Sequence, residues 1–112
     1  VHFVLGDVTR LPAYVDSGYV LAIDIGCFHG LGDDQRIAYG DGLGAVTQPG
    51  AQLLMFSFTP GRRRPLPRGA SMTDVTRALR GWTAVGDDAM DTDGAPGLLA
   101  RAHPHFLRLV RE

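Results

Sequence analysis

The sequence predicts a layered α/β fold, on three observations. Apolar runs of strand length recur along the chain and are separated by stretches of helical spacing or by Pro/Gly punctuation. The run Tyr19–Ile25 is rich in Val, Ile, Leu and Tyr without strict alternation, which suits a strand buried on both faces of a parallel sheet. That run ends in Asp24 and breaks at Gly26, which places a carboxylate where open α/β sheets bind ligands, outside the C-terminal ends of their strands.

Val1–Leu5 reads as a first strand, stopped by Gly6-Asp7, and Val8–Gly18, punctuated by Pro12, reads as a short helical turn or loop. Tyr19–Ile25 is the second strand. Asp33–Val46 carries Ile37, Leu43 and Val46 at rough helical spacing and ends at the turn signal Gln48-Pro49-Gly50. Gln52–Phe58 is the third strand, and Pro60–Gly69, with its prolines and arginines, is a loop. Ser71-Met-Thr-Asp74 matches a capping box, followed by Val75, Leu79 and Trp82 at helical spacing. Trp82–Val85 begins a fourth strand and His105–Val110 a fifth, with Asp87–Pro104 loop-rich between them. No internal repeat or boundary interrupts the 112 residues, so residues 1–112 are read as one domain with a modest core.

A hydrophobic fraction of 45% argues against wholesale disorder. A net charge of −1 gives no electrostatic case for nucleic acid or an anionic membrane as partner. No apolar stretch reaches membrane-spanning length. Cys27, the one cysteine, cannot form an internal disulfide and fits a reducing, cytoplasmic setting.

The order of motifs resembles the later part of a class I S-adenosylmethionine-dependent methyltransferase. The residues are Phe3-Val-Leu-Gly-Asp-Val-Thr-Arg-Leu-Pro12, then Tyr19–Leu31, then Pro49-Gly50 ahead of Leu53-Leu-Met-Phe-Ser57. The resemblance covers nearly the whole chain. It implies a partial Rossmann-like methyltransferase fold, a mixed sheet ending in an antiparallel hairpin, and methyl transfer from S-adenosylmethionine to a small-molecule nucleophile. It places Asp7 as acceptor for the adenine amino group with Val8 in backbone contact, and Asp24, Ile25 and Gly26 beside the methionine end. Phe28 and His29 would face the substrate, and Asp24 and His29 are the catalytic candidates, His29 as acid or base.

The sequence departs from the family in lacking a counterpart of the glycine-rich loop after the family's first strand and of the ribose-binding acid after its second. The family strand order is three, two, one, four, five, seven, six, so the strand Val1–Leu5 would have no neighbour here. The expectation is a truncated methyltransferase domain that binds the cofactor poorly alone, or one completed by a partner chain or homodimer covering the open sheet edge. The alternative class is a catalytically inactive dimerising domain.

Gly40-Asp-Gly-Leu-Gly-Ala45 matches G-x-G-x-x-G/A, with Arg62-Arg-Arg64 about twenty residues on, and raises an NADP-binding oxidoreductase fragment as a further alternative. No convincing strand leads into these glycines, and as a helix each costs roughly 1 kcal/mol relative to Ala. Cys27 with His29 as a nucleophile–base pair, His103 with His105 as metal ligands, and Asp87–Asp91 as a magnesium motif each lack companion residues at useful spacing. No metal site is expected, and Arg62–Arg68 reads as a solvated loop.

Overall fold

The computed structural model describes residues 1–61 and 68–112. A 3₁₀ segment, Val8–Ala13, leads into β1 (Tyr19–Ile25), a 3₁₀ turn Phe28–Gly30, α1 (Asp33–Val46) and β2 (Thr47–Phe58). Then come α2 (Met72–Ala78), β3 (Trp82–Ala89), α3 (Gly97–Arg101) and β4 (Pro104–Arg111). The four strands form one mixed sheet in the order β1-β2-β4-β3. β1 and β2 are parallel, while β4 runs antiparallel to both β2 and β3.

Alternation along the strands divides the sheet into two unlike faces. Leu53 and Met55 of β2, with Leu107 and Leu109 of β4, point to the face that α1 and α2 cover. There they join Tyr39, Leu43, Val75, Leu79 and Trp82 in the core. The other face carries Leu21, Ile23 and Ile25 of β1 beside Leu54 and Phe56. The 3₁₀ turn reaches this face only at Phe56 and Phe58, through His29, and the three β1 side chains are 54%, 59% and 74% exposed. The double-sided burial expected of Tyr19–Ile25 is therefore corrected: β1 is an edge strand with one apolar face open.

α1 starts where Gln35 Oε1 accepts the Gly32 backbone N–H at 2.9 Å, and it buries Arg36, Tyr39, Gly40, Leu43 and Val46 along one stripe. Ile37, expected among its apolar contacts, is 44% exposed because it falls off that stripe. The glycines lie in the helix interior, not at a strand-to-helix turn, which removes the dinucleotide fingerprint reading. Gly40 has a packing reason instead: a Cβ there would stand 2.5 Å from the Ala78 carbonyl oxygen of α2. Arg62–Arg64, the other half of that reading, and most of the Arg62–Arg68 loop lie outside the described residues.

The Ser71 capping box forms as expected. Ser71 Oγ accepts the Asp74 N–H at 3.1 Å, and Asp74 Oδ2 accepts the Ser71 N–H at 2.9 Å. β2 is longer than expected because Pro49-Gly50 does not end an element. Gly50, at φ +85°, sits where residues 47–52 of β2 face only Tyr19–Leu21 of β1, so the pair forms a bulge inside the strand. β3 is also longer, and it takes in Asp87 and Asp88, whose side chains point to opposite faces, so they cannot gather on one ion.

The expected first strand is absent. Val1–Leu5 forms no strand, and Val1, Phe3 and Leu5 are almost fully exposed. A β-prone run becomes a strand only against a hydrogen-bonding neighbour, and here it has none. No helix among the described residues is long and apolar enough to cross a membrane.

Candidate functional site at the end of the first strand

Asp24 faces the helix-covered side of β1, level with Met55, and is 5% exposed. A carboxylate buried this deeply needs donors, and it has three. Oδ1 accepts the Cys27 backbone N–H at 2.8 Å, while Oδ2 accepts the Phe28 N–H at 3.1 Å and the Tyr39 hydroxyl at 2.7 Å. Gly26, at φ +91°, allows the chain to fold back so that those two amides point at the carboxylate. The strand end and α1 are thus joined through one side chain.

Beside Asp24 a groove of about 300 Å³ runs along β1, bounded by Val8 and Leu11 of the 3₁₀ segment, by Ala22 and Cys27, and by Tyr39. Burial and the Asp24 charge push the Tyr39 hydroxyl far above its ordinary range, so it stays a donor. The same two causes push the Cys27 thiol up to about 11. A thiol so raised makes a poor nucleophile near neutral pH, which disfavours the Cys27–His29 pair.

Asp7 does not line this groove, although Val8 does. Its carboxylate caps the 3₁₀ segment, accepting the Thr9 N–H at 2.9 Å and the Thr9 hydroxyl at 2.7 Å. Those bonds hold the exposed Asp7 carboxyl below its ordinary value. Asp7 borders a separate small cavity of about 80 Å³ with Val4, Val8 and Tyr14.

Phe28 and His29 turn inward. Phe28 is fully buried, edge-on to Tyr39 at 5.7 Å, with the Arg36 guanidinium 4.7 Å above its ring centroid. In this structure it is a core residue rather than one facing a substrate. His29 is 3% exposed, stacked on Phe58 at 5.1 Å, with Phe56 edge-on. Its Nδ1 has no hydrogen-bond partner among the described residues. Burial lowers its pKa, the Asp24 charge works against that, and Arg36 adds to the lowering.

Two residues of this end of the sheet went unread in the sequence. Tyr39 supplies the hydroxyl to Asp24, and Arg36 donates to the His29 carbonyl at 3.1 Å and the Gly69 carbonyl at 2.8 Å. Their spacing with Leu43 and Val46, all on one face of α1, is the signal that marks them as inward-facing. Ile25 is exposed at the groove's rim, and Gly26 leaves its backbone open, with His29 Nε2 the nearest atom to a would-be Cβ at 3.6 Å. Among the described residues no three His, Cys, Asp or Glu side chains gather to hold a metal ion.

Neither a protein-family model nor a curated protein matches the sequence. Solved structures do. One is the N-methyltransferase NodS from Bradyrhizobium japonicum WM9 in complex with S-adenosyl-L-homocysteine. It matches with a TM-score of 0.68 at 17% identity, over 95% of this chain and 52% of that one. The glycopeptide N-methyltransferase MtfA complexed with sinefungin gives 0.67 at 12% identity, over 96% and 58%. The 1,6-didemethyltoxoflavin-N1-methyltransferase of Burkholderia thailandensis gives 0.65 at 20%, over 93% and 48%. The chain therefore has the fold of class I S-adenosylmethionine-dependent methyltransferases, and it spans about half the length of the structures it matches. Its strand order β1-β2-β4-β3 corresponds to the expected four, five, seven, six, with the expected antiparallel hairpin at the end.

Proposed function

We propose that the chain is the part of an S-adenosylmethionine-dependent methyltransferase that carries the strand-four end of the cofactor crevice, acting on a small-molecule nucleophile. The observation that carries this reading is the position of the Asp24 turn: a satisfied carboxylate and an open glycine backbone at the C-terminal end of a parallel strand, beside a groove, in this fold.

The residues present fit one side of the cofactor. Asp24 uses three of about four acceptor positions, so one lone pair remains for a donor in the groove. Asp24, Ile25 and Gly26 would hold the methionine end, and Val8 would supply a backbone contact for the adenine, with Asp7 its acceptor once released from Thr9. When bound, the cofactor supplies an electrophilic sulfonium methyl. The task left to this chain is orientation, holding the nucleophile in line with that methyl. Asp24 serves it as a positioning residue, because its bonds to Cys27 and Phe28 set the crevice wall. His29 is the resemblance's candidate to take up the proton that the nucleophile sheds, a role that requires its buried ring to turn from Phe58 toward the groove.

The open edge of β1 and its uncovered apolar face are where further strands and helices would complete the crevice. The remainder of a longer chain, or a partner chain or second copy covering the edge, is the proposed source. Calorimetric titration with S-adenosylhomocysteine tests the reading. Weak saturable binding that Asp24→Asn abolishes is expected, and no heat or thermal shift at millimolar ligand sinks it for this chain. The inactive dimerising alternative is favoured by the exposed β1 edge, and it predicts self-association together with that null titration.

A further inference from the structure

The turn after β1 and the segment after β2 leave the sheet at the same end, because the two strands run parallel. In an open α/β sheet that is the end where ligands lie, so the two segments are adjoining walls. One side chain of α1 joins them. Arg36 is 6% exposed, and its Nη2 donates to the His29 carbonyl at 3.1 Å and to the Gly69 carbonyl at 2.8 Å. A guanidinium Nη2 carries two N–H donors, and here each wall takes one.

Both walls are fixed in turn to the strand ends. Phe28, whose N–H reaches Asp24, lies under the same guanidinium at 4.7 Å. Gly69, at φ +76°, is pressed against the end of β2, where a Cβ would overlap the Phe58 carbonyl oxygen. Beside it Ala70 donates its N–H to that Phe58 carbonyl at 2.9 Å. Phe58 stacks on the His29 ring at 5.1 Å. The contacts therefore close a circuit, from Arg36 through Gly69, Ala70 and Phe58 to His29 and back.

Plain packing does not call for such an arrangement. A buried guanidinium is unfavourable without a carboxylate, and Arg36 has no carboxylate partner among the described residues. A second arginine, Arg68, spans the same gap in the reverse sense, donating to the Leu31 carbonyl at 2.9 Å and to Asp33 Oδ1 at 2.8 Å. Its side chain is 44% exposed, so solvent screens that tie and the buried one dominates.

We infer that Arg36 is a positioning residue that couples the two walls: through its Nη2 the turn holding Asp24 and the Gly69–Ala70 segment move as one. What the coupling serves rests on the methyl-transfer reading. A cofactor settling at Asp24–Gly26 would set the neighbouring wall without touching it.

The test is amide hydrogen exchange of the 112-residue chain by NMR, alone and with S-adenosylhomocysteine. In Arg36→Met the Phe28 and Ala70 amides should lose protection together, roughly tenfold or more beyond any loss at Leu53 and Met55 of β2. Arg68→Met should change them by less than about threefold. A loss no greater than that of β2, a loss at one wall alone, or an equal effect from Arg68→Met overturns the inference. If Arg36→Met fails to fold, Arg36→Lys, which keeps the charge and gives up the planar fork, is read by the same criteria.

With ligand, the unsubstituted chain should respond at Gly26 and Cys27 and also at Ala70. In the Arg36 variant Gly26 should still respond while the Ala70 shift falls away. An Ala70 response that is missing in the unsubstituted chain while Gly26 responds, or undiminished in the variant, also overturns the coupling. Silence at Gly26 in the unsubstituted chain removes the methyl-transfer reading instead, and exchange in the free chain then decides the coupling alone.

Discussion

Asp24 spends its charge on architecture first. Three donors reach it, two from the turn that follows it and one from a helix fifteen residues away. Hydrogen bonds to a charged group contribute about 1.5–3 kcal/mol. Tyr39→Phe should therefore lower stability by about 2 kcal/mol in urea denaturation, with the m-value unchanged. His29 gives a second prediction, in pH. Its folded pKa is depressed below the ordinary 6.5, so the unfolded chain binds the extra proton first. Its contribution to stability is present above about 6.5 and is lost as the pH falls through the folded value. His29→Phe, which keeps the stack on Phe58, should flatten the slope of denaturation midpoint against pH below 6.5.

Helix α1 does two jobs at once, and its glycines show how. Gly40 lets it approach the end of α2, where the Ala78 carbonyl leaves no room for a methyl group. Gly44 meets nothing within 4 Å of a would-be Cβ. Gly44→Ala should accordingly stabilise the chain by roughly 0.5–1 kcal/mol through helix propensity. Gly40→Ala should destabilise it by roughly 1–3 kcal/mol, because overpacking outweighs the same gain. Parallel thermal melts of the two variants check the contrast. Equal and opposite-to-expected shifts would mean that α1 and α2 do not pack as described.

At the scale of the whole chain, the unlike faces of the sheet dominate. One face closes a core under α1 and α2, while the other leaves Leu21, Ile23 and Ile25 open on an edge strand. The radius of gyration of 14.1 Å exceeds the roughly 13 Å usual for this length, in keeping with the exposed Val1–Leu5. Edge strands with apolar side chains and unpaired backbone invite association. Sedimentation should show concentration-dependent self-association that Ile23→Lys reduces, with the circular dichroism spectrum unchanged. A monomer at all concentrations would leave the open face without a second copy as its cover.

Elements governed by neighbours in the chain were legible from the residues alone. Tyr19–Ile25 and Asp33–Val46 lie where composition and spacing place them, and the Ser71–Asp74 cap forms because its partners are three residues apart. So is the likeness of the ordered motifs to one half of a methyltransferase, which the sheet order bears out. What depends on distant partners was not legible. Val1–Leu5 has strand composition but no strand to pair with, and Pro49-Gly50 has turn composition but became a bulge against β1. Asp24 was readable as a carboxylate at a strand end. That it would be held by Tyr39, and that Asp87 would meet His105 across a hairpin, followed only when the sheet and α1 packed together. A buried charge takes whatever donors the assembled chain presents, and sequence spacing does not record which those will be.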